Sequence, residues 1–563
     1  MKKEDFYSEI AEILKGRKLN KQELANLKIK LCSKYNLKDI PTDIQILLNV
    51  EKKDLPRLKP RLVTKPTRTI SGVAVVAVMT KPIPCVHGKC IYCPGGLNSV
   101  FGDMPQSYTG REPATMRAAR AGFEPYVQVF NRIEQYAVTG HAFEKVELIV
   151  MGGTFTSFPQ EYQKEFVMDC FKAMNDFSAL FLKENFDFSK FKDFFELPGD
   201  IRDEERGESI QKKVLILKKK GKKTLAYEQK RNETARIRCI GLTIETRPDF
   251  GRLKEGNEML ALGCTRAEIG VQSVYGDVLK KIKRGHTVKD TIDSFRILKD
   301  LGFKINAHYM LGLPGSDPEK DLAGLKELFA NPDFRPDMLK IYPCLVVKGT
   351  GLYNLWKRDK YAPISTSEAA GIIAEFKKEV PKYVRIMRVQ RDIPSTVISS
   401  GVDRTNLRQY VKKIAEMRGI KCNCIRCREI GRAQRIGKIE ILVEEYYASR
   451  GKEFFISAED VKNNLIAGFC RMRFPSQGLR KEITGKTVII RELHVYSPAA
   501  EIGKKVKTSY QHRGFGKALL KKAESIAKAN GKYKVLIISG VGAREYYRKL
   551  GYIKEGAYMG KRI

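Results

Sequence analysis

Between residue 72 and about residue 400, apolar runs rich in β-branched residues alternate with helical stretches, and this alternation limits the chain to few folds. The runs are, in order, GVAVVAVM, VELIVM, RCIGLTIE, RAEIGVQ, KINAHYML, MLKIYP and VRIMRVQ. Strands that alternate with helices favour a parallel sheet joined by crossover helices. We therefore predict an α/β domain built as a complete or partial TIM-type barrel.

Polar residues and glycines fall where these runs end. Gly152 and Gly153 follow the second run, Glu245 ends the third with Arg247 close behind, and Gln272 ends the fourth. In barrels of this kind the carboxyl ends of the strands carry the chemistry. The polar candidates for a site at that mouth are Glu245, Arg247, Gln272 and Arg284. A structural ion pair is the alternative role for each of them.

Three cysteines lie within nine residues just after the first run. Cys85, Cys90 and Cys93 stand in PCVHGKCIYCPGG, with gaps of four residues and then two. Three thiolates leave one iron of a four-iron cluster open to bind and activate a small molecule. Zinc is the alternative, because thiolates at short spacing also suit a tetrahedral ion.

The charge of the chain points to a polyanionic partner. Over 563 residues, 104 Lys and Arg against 65 Asp and Glu give a formal charge of +39. A nucleic acid is the leading partner for such an excess, and an anionic membrane surface is the alternative. No apolar stretch approaches the length of a spanning helix, and the start, MKKEDFYSEI, lacks a signal-peptide core. We expect a cytoplasmic protein without a membrane contact, whose 12 cysteines fit metal sites in a reducing compartment better than a disulfide framework.

Two further basic segments flank or interrupt the barrel. The sequence of residues 1–70 predicts short helices followed by a basic stretch that contains several prolines. We interpret this segment as an RNA-binding module that contacts phosphates. The alternative is a solvent-exposed charged face without a partner. The barrel domain, residues 71–400, contains an insertion at about 176–235 that includes KKVLILKKKGKK. This insertion is either a mobile solvated loop or a second nucleic-acid contact.

A second cysteine cluster marks a linker at residues 401–435. Cys422, Cys424 and Cys427 stand in IKCNCIRCRE, where gaps of one residue and two allow three thiolates to converge on one ion. We predict a structural zinc without an identifiable fourth ligand. A redox or incidental role is the alternative.

The last unit, residues 436–563, has a different pattern. RELHVY and KVLIISG read as strands, AREYYRKLGY begins a final helix, and QHRGFGK opens a long helix. The two glycines of QHRGFGK, Gly514 and Gly516, let backbone N–H groups at the helix start surround a pyrophosphate.

These motifs resemble known families. The cysteine loop followed by the glycine pair is similar to the radical S-adenosylmethionine enzymes, although their usual first gap is three residues, and the last unit resembles the GCN5-related N-acetyltransferases (GNAT). The fusion resembles the family of Elongator catalytic subunits in its single-chain archaeal or bacterial form, from about residue 60 to the end. The strings that carry the likeness are VMGGTF, GLTIETRPD, TRAEIGVQSVY, RGHTVK, FRPDMLKIYP, RVQRDIPS, RELHVY and ISGVGAREYYRKLGY.

The resemblance assigns roles to particular residues. It implies that Cys85, Cys90 and Cys93 hold a 4Fe-4S cluster, and that S-adenosylmethionine lies at Gly152 and Gly153, with Glu245 and Gln272 as further cofactor contacts. It implies acetyl-coenzyme A contacts, catalytic ones included, from Lys145, Glu492, Leu493, His494, Val495, Gln511, Gly514, Phe515, Gly516, Lys517, Tyr546 and Tyr547. Without the resemblance, Lys145 would be a surface lysine and either tyrosine a core aromatic.

The resemblance also implies an activity. The family forms 5-carboxymethyluridine at the wobble uridine of transfer RNA, so we expect an acyltransferase in which radical chemistry activates the acetyl methyl for addition to carbon 5. The implied partners are the anticodon stem-loop, acetyl-coenzyme A and an external electron donor, with a homodimer as a further option. We predict that the acetyltransferase cleft opens toward the barrel mouth, and that Arg61, Arg68 and the Lys218–Lys223 run contact phosphates.

Two rival functions remain open at this point. In the first, the last unit acetylates lysines on proteins and the barrel only adds stability, which needs a carboxylate base such as Glu492. In the second, the chain is a non-catalytic RNA-binding scaffold. Repulsion between a chain of +39 and a lysine-rich substrate argues against the first, and reductive cleavage of S-adenosylmethionine would eliminate the second.

Overall fold

The computed structural model describes residues 2–51, 53–63, 72–199, 203–221, 224–432, 436–496 and 514–563. Four of the residues proposed above lie outside these ranges: Arg68, Gln511, and Lys222 and Lys223 of the Lys218–Lys223 run.

The first sheet contains all seven runs that were predicted as strands. These are β1 (Ala74–Met79), β2 (Lys145–Met151), β3 (Arg238–Thr246), β4 (Arg266–Gln272), β5 (Lys304–Leu311), β6 (Met338–Pro343) and β7 (Arg385–Arg388). The strands follow one another in sequence order and every pair is parallel. The sheet stays open between β1 and β7, so it is a partial barrel, and the predicted fold class is confirmed.

Helices cover the outer face of this sheet and build the N-terminal module. They are α1 (Lys2–Gly16), α2 (Lys21–Lys34), α3 (Asp43–Asn49), α4 (Leu55–Leu62), α5 (Pro113–Arg120), α6 (Pro125–Val138), α7 (Gln160–Phe181), α8 (Phe188–Phe194), α9 (Glu204–Lys219), α10 (Leu225–Asn232), α11 (Leu253–Leu262), α12 (Gly276–Lys281), α13 (Val288–Asp300), α14 (Pro318–Ala330), α15 (Gly351–Lys357), α16 (Thr366–Phe376), α17 (Leu407–Met417) and α18 (Ile425–Arg428). Two small antiparallel pairs, Gly96–Ser99 with Gly102–Met104 and Val346–Val347 with Ile398–Ser400, complete the barrel domain.

The second sheet belongs to the last unit and is mixed. Its strands are β8 (Glu440–Ala448), β9 (Gly451–Asp460), β10 (Leu465–Phe474), β11 (Thr487–Val495), β12 (Lys534–Ile537), β13 (Ile553–Glu555) and β14 (Tyr558–Arg562), and its helices are α19 (Phe515–Ala529) and α20 (Arg544–Arg548). The spatial order is β8-β9-β10-β11-β12-β14-β13. The sequence analysis found β11, β12 and both helices but missed the three long antiparallel strands β8 to β10.

The N-terminal module has its own small core. Helices α1 to α4 bury Phe6, Ile10, Leu31 and Leu58 against one another. Arg61 donates from Nη1 to the carbonyl oxygens of Leu14 and Arg17, the latter at 2.9 Å. Its Nη1 group therefore joins α4 to the end of α1, and the phosphate contact of Arg61 stays a prediction.

The insertion at 176–235 is packed, so its interpretation as a mobile loop is wrong for the described residues. Phe177, Phe181, Phe191 and Phe195 are buried and contact Phe130 or one another. In α9, Lys218 Nζ lies 2.9 Å from Glu124 and 2.8 Å from Asp169. Lys218 is thus neutralised by two carboxylates rather than presented to RNA.

The acetyltransferase-like sheet packs against the amino ends of the barrel strands. Gly302, just before β5, lies against Ile489 and Ile538, and Gly540 lies against the backbone of Ile240 near the start of β3. Arg491 donates to Phe303 O at 2.7 Å and to Asp337, which precedes β6. No helix in the described part of the chain has the length and apolar character needed to cross a bilayer.

Candidate functional site

The cysteine loop lies at the carboxyl-end mouth of the barrel, as predicted from the strand ends. Cys90 and Cys93 are buried and Cys85 is half-buried. Cys93 Sγ accepts from Ser107 N at 3.2 Å, and Arg284 Nη1 lies 3.7 Å from Cys90 Sγ. Burial raises the pKa of the Cys85 thiol, whereas Thr154 and Arg284 favour its thiolate form. Donors and a cation thus surround the three sulfurs, as thiolate ligands of a metal cluster require.

The glycine pair touches this loop. Gly152 and Gly153 have φ values of 121° and 112°, in a region that side chains avoid. A Cβ on Gly152 would overlap Thr80 Oγ1, and the Cβ position of Gly153 is 3.9 Å from Cys85 Sγ. The structure therefore brings Gly153 to Cys85 and packs Gly152 against Thr80.

The polar candidates at this mouth divide into two kinds. Arg247 donates to Asp249 and to Gly285 O, so it holds two loops together as an ion pair. Gln272 has φ of 67°, and its buried Oε1 accepts no hydrogen bond. An unpaired buried acceptor at a site is the kind of group that a bound ligand satisfies. Burial raises the pKa of Glu245 to about 7 against the opposing effect of Lys340.

The second cleft forms where two strands of the acetyltransferase-like sheet separate. Strand β11 pairs with β12 only over Thr487–Ile490, so one edge of β11 at Glu492, Leu493 and His494 has no partner strand among the described residues. Val495 ends the same strand. Such an edge can accept a pantetheine-like chain through backbone hydrogen bonds. Helix α19 begins beside this edge, after Gly514 at φ of 83°. The N–H groups of its first turn, Phe515 to Lys517, point out of the helix start.

Two tyrosines close this cleft from α20. The Tyr546 hydroxyl lies 2.8 Å from the Cβ position of Gly516, so Tyr546 reaches the start of α19. Tyr547 is 7% exposed, and its ring centroid is 5.2 Å from that of Tyr546. Burial raises the pKa of Tyr547, which keeps its hydroxyl protonated at neutral pH.

Glu492 and His494 have defined partners in the cleft. Glu492 Oε2 accepts from Arg471 Nε at 2.9 Å; burial alone would raise its pKa, but Lys304, Arg471 and His494 hold it below the usual value. The His494 ring packs against that of Tyr496 at 4.4 Å between centroids, tilted by 45°, and burial lowers the pKa of His494 to about 4. Glu492 is therefore an ion-paired carboxylate and not a free base.

The two clefts lie at opposite ends of the barrel, so the prediction that the acetyltransferase cleft faces the cysteine mouth is wrong. Lys145 is the first residue of β2, whereas Gly152 and Gly153 directly follow its last residue. Seven strand residues separate these ends by roughly 20 Å. The electrostatic neighbours of His494 include Lys304 at the start of β5 and Glu147 on β2, so its cleft faces the amino ends. Burial lowers the pKa of the half-buried Lys145.

A chain of polar side chains in the barrel lumen joins the two ends. Tyr108, near the cysteine loop, donates to Glu245 at 3.3 Å, and Lys340 Nζ lies 3.9 Å from Glu245 and in contact with Glu268. His308 Nε2 and Asn306 Nδ2 bond Glu268 at 2.9 and 3.0 Å. Toward the amino ends, Arg266 contacts Glu147 at 2.5 Å.

Sequence reasoning missed this network except for Glu245. A signal was present, because polar residues occupy every second position in RAEIGVQ and in KINAH, on the faces opposite the apolar ones. Ligand atoms of Glu245, Glu268 and His308 lie within 4.8 Å of one another, a spacing that suits a metal. The ammonium of Lys340 already neutralises Glu268, so the trio is an ion-paired cluster.

Comparison with known proteins agrees with this architecture. Family models match in four ranges: the ELP3 N-terminal domain at 4–70, the Radical SAM superfamily at 208–325, the Radical_SAM C-terminal domain at 336–418 and the Acetyltransferase (GNAT) family at 428–552. The radical SAM range leaves the cysteine loop outside. The chain is 48% identical to the tRNA uridine(34) acetyltransferase of Methanocaldococcus jannaschii, over 98% of this chain and 96% of that protein. It is 40% identical to Elongator complex protein 3 of Saccharomyces cerevisiae, over 99% and 95%.

The chain belongs to the Elongator complex protein 3 family. A solved structure of the Methanocaldococcus infernus Elp3 with an N-terminal deletion matches with a TM-score of 0.71 at 42% identity, covering 88% of this chain and all of that one. Within the Elongator complex protein 3 family, the radical SAM match implies a 4Fe-4S cluster and S-adenosylmethionine, and the GNAT match implies acetyl-coenzyme A.

The residues present fit these groups. At the mouth, the three thiols, the unpaired Gln272 Oε1 and the Gly153 backbone beside Cys85 suit a cluster and the amino-acid part of S-adenosylmethionine. At the other end, the β11 edge at Glu492–His494, which has no partner strand among the described residues, and the start of α19 suit acetyl-coenzyme A. Gln511, proposed for the pyrophosphate, lies outside the described residues of this Elongator complex protein 3 homologue.

The second cysteine cluster is tighter than the first. The sulfurs of Cys422, Cys424 and Cys427 all lie within 4.8 Å of one another, whereas the first triad forms no such group among the described residues. Four tetrahedral Zn–S bonds of about 2.3 Å place sulfurs roughly 3.8 Å apart. Bonds from Cys422 and Cys427 hold the pKa of Cys424 well below its usual value, which favours a thiolate there.

Proposed function

We propose that this chain is a tRNA uridine(34) acyltransferase that forms 5-carboxymethyluridine from acetyl-coenzyme A. The observation that carries the proposal is the polar lumen, which connects a thiol site at one barrel end to an acetyltransferase cleft at the other. The identity of up to 48% with proteins named for this activity supports it.

The cysteines Cys85, Cys90 and Cys93 would hold the cluster, with Gly152 and Gly153 beside the methionine part of the cofactor. When bound, the cluster and S-adenosylmethionine supply a carbon radical able to take a hydrogen atom from the acetyl methyl. Arg284 would stabilise negative charge on the cluster ligands through its contact with Cys90.

The other role of the protein is to position the acetyl group and the base for reaction. The β11 segment Glu492–His494, whose edge has no partner strand among the described residues, would fix the thioester, and the N–H groups from Phe515 to Lys517 would fix the pyrophosphate. Tyr546 and Tyr547 would close over the acetyl group. Lys145 would contact the cofactor from the barrel. Reacting atoms must come within roughly 3 to 3.5 Å, so the lumen has to bring the acetyl methyl and the base together while excluding water.

The substrate fits a chain of this charge. A wobble base lies in a single-stranded loop and can be turned out at low cost. Basic residues of the N-terminal module, including Arg61, would contact phosphates. We further propose that Cys422, Cys424 and Cys427 hold a structural zinc that fixes the linker against the barrel.

The rival function as a protein lysine acetyltransferase needs a free carboxylate base. Glu492, the candidate for that base, is ion-paired with Arg471, which argues against this function. The scaffold hypothesis does not explain an ion-paired lumen between two clefts.

The test is anaerobic incubation of the reconstituted full chain with transfer RNA, both cofactors and a reductant, followed by nucleoside mass spectrometry. We expect carboxymethyluridine from the wild type. Cys90→Ala should abolish the product and leave RNA binding nearly unchanged, and Cys170→Ala, a buried cysteine remote from both triads in sequence, is the matched control. Acetylated lysine on added proteins with no nucleoside product would refute the proposal.

A further inference from the structure

A lysine-rich groove lies against the cysteine loop. Helix α12 and the turn after it, residues 276–289, carry five basic residues and one acid. The acid, Asp277, is already paired with Lys320 at 2.7 Å. Lys280, Lys281 and Lys283 are exposed. The segment borders a cavity of about 630 Å³ whose walls include Lys280, Lys283, Lys289 and Arg284.

A single side chain connects this groove to Cys90, a candidate ligand of the cluster. Arg284 lines the groove, and its Nη1 lies 3.7 Å from Cys90 Sγ. The cysteine loop is also tied to the segment directly, since Ile91 N donates to Ile282 O at 3.2 Å and the His87 side chain packs against Gly285. Val86, next to Cys85, is 63% exposed and adds an apolar contact surface on the loop.

One of the lysines has an unfavourable backbone conformation. Lys283 has φ of 55°, and the bonds Lys283 N to Lys280 O and Arg284 N to Leu279 O form the usual end of a helix. Glycine is the residue that this position normally favours, because a side chain there is strained. Strain retained at an exposed position indicates a role for the side chain rather than for the fold.

We propose that the surface formed by Lys280, Lys281, Lys283 and the cysteine loop is the docking site for a small acidic one-electron carrier. The inference rests on the proposed function, which requires one electron per radical generated. That electron passes from a reduced flavin or iron–sulfur protein to the cluster held by the cysteines; the carrier is oxidised by one electron and no bond is made or broken. Electron-transfer contacts are small and weak, and opposite charges set their rate of encounter.

RNA is the other macromolecule that a basic groove could bind. RNA loops are recognised through aromatic or arginine platforms on which bases stack. The exposed charged groups of this groove are lysine ammoniums, and no exposed aromatic side chain lines it in the described part of the chain. Its arginine, Arg284, is held by Cys90 Sγ and Gly270 O and offers no exposed plane for stacking. The charge pattern therefore favours an acidic protein surface.

The test compares flavodoxin hydroquinone, a small acidic carrier, with dithionite as reductants of the reconstituted full-length protein in stopped-flow mixing at several salt concentrations. The groove variants are Lys280→Glu combined with Lys283→Glu, and Lys283→Gly alone. The matched control combines Lys412→Glu with Lys413→Glu, two exposed lysines on α17.

At low salt we expect the double groove variant to slow reduction by flavodoxin at least tenfold and to flatten its salt dependence, with dithionite rates unchanged. Lys283→Gly should slow reduction by flavodoxin several-fold while the melting temperature stays equal or rises. An effect on the rate without a loss of stability would show that the side chain serves docking and not folding. Equal flavodoxin rates for wild type, groove variants and control would overturn the inference. So would a loss of transfer RNA binding in the groove variants without a change in flavodoxin rate.

A second measurement keeps the inference separate from the proposed function. Oxidised flavodoxin is titrated into the cluster-free chain by calorimetry, and the double groove variant should weaken binding at least tenfold relative to the α17 control. If dithionite fails to reduce any cluster, the proposed function fails. The titration still decides whether the groove binds the carrier.

Discussion

Arg491 and Asp337 form an ion pair that is completely buried between the two sheets. Arg491 Nη1 donates to Asp337 Oδ2 at 2.8 Å and Nη2 reaches Oδ1, while both side chains are 0% exposed. Arg491 also bonds Glu453 at 3.0 Å. The acetyltransferase-like sheet is thus fixed to the amino end of β6 by charges that have no access to water, so the two domains form one unit.

Removal of one partner of this ion pair should let the acetyltransferase-like sheet unfold separately from the barrel. Arg491→Met leaves Asp337 and Glu453 buried with less compensation, and such a loss costs about 3–5 kcal/mol. We expect an earlier, broader denaturant transition, monitored by circular dichroism, in which the last unit unfolds first. Lys412→Met, which removes an exposed helical pair with Glu416, should change stability by less than about 0.5 kcal/mol. Wild-type stability of Arg491→Met would contradict the structural role of the pair.

The glycine pair offers a test of the mouth geometry. Gly152→Ala places a Cβ onto Thr80 Oγ1 at φ of 121°, so we expect a loss of about 1–3 kcal/mol and weaker binding of S-adenosylmethionine. Gly207→Ala is the control, because Gly207 is in α9 with no atom within 4 Å of its Cβ position and should gain about 0.5–1 kcal/mol. Thermal melting and equilibrium dialysis measure the two effects. Equal melting curves for both variants would refute the packing argument.

The sequence predicted the barrel well because its strands are short runs rich in apolar and β-branched residues that alternate with helical stretches. It missed β8 because EILVEEYYA carries charged residues on one face and lacks a continuous apolar signal. The apolar runs in β9 and β10, FFISA and LIAGFC, were a usable signal that the sequence analysis did not interpret. Site residues close to glycines or cysteines were found, since those residue types are rare and chemically distinctive. The orientation of the two clefts was not predictable, because it depends on Arg471, Arg473 and Arg491 meeting Asp300 and Asp337, contacts between residues more than a hundred positions apart.

The buried histidine of the acetyltransferase cleft predicts a pH dependence. Burial lowers the pKa of His494 to about 4 from 6.5. The folded state therefore stays neutral while the unfolded state takes up a proton between pH 6.5 and 4, so stability is greatest above pH 6.5 and falls toward pH 4. We expect His494→Phe, which keeps a ring against Tyr496, to lose less stability over this interval, by at most roughly 3 kcal/mol. Denaturant titrations at pH 7.5 and 4.5 measure the difference, and parallel losses in both proteins would show that His494 is protonated in the folded state.

The zinc proposal predicts a metal-dependent linker. Cys424→Ser removes the thiol whose pKa is held low by its neighbours, and it should release the ion and lower the melting temperature. Cys470→Ser, at a buried cysteine of β10, controls for the loss of a thiol from a core. Metal analysis should find one zinc per chain in the wild type and in Cys470→Ser but none in Cys424→Ser. Zinc retained in Cys424→Ser would exclude this cluster as the site.

The polar network in the lumen predicts that Glu268 stabilises the protein through its bonds to neighbouring polar side chains. Glu268 is 1% exposed and contacts Lys340, His308 and Asn306, so Glu268→Gln leaves a buried ammonium facing only Glu245 at 3.9 Å. We expect a loss of about 3 kcal/mol, partly restored when Lys340→Met removes the ammonium as well. Carboxymethyluridine formation should stay low in the double variant even though its stability recovers, since the connection between the two clefts is gone. Recovery of both stability and product in the double variant would show that the network serves only packing. Full activity of Glu268→Gln alone would show that Glu268 is not needed for the reaction.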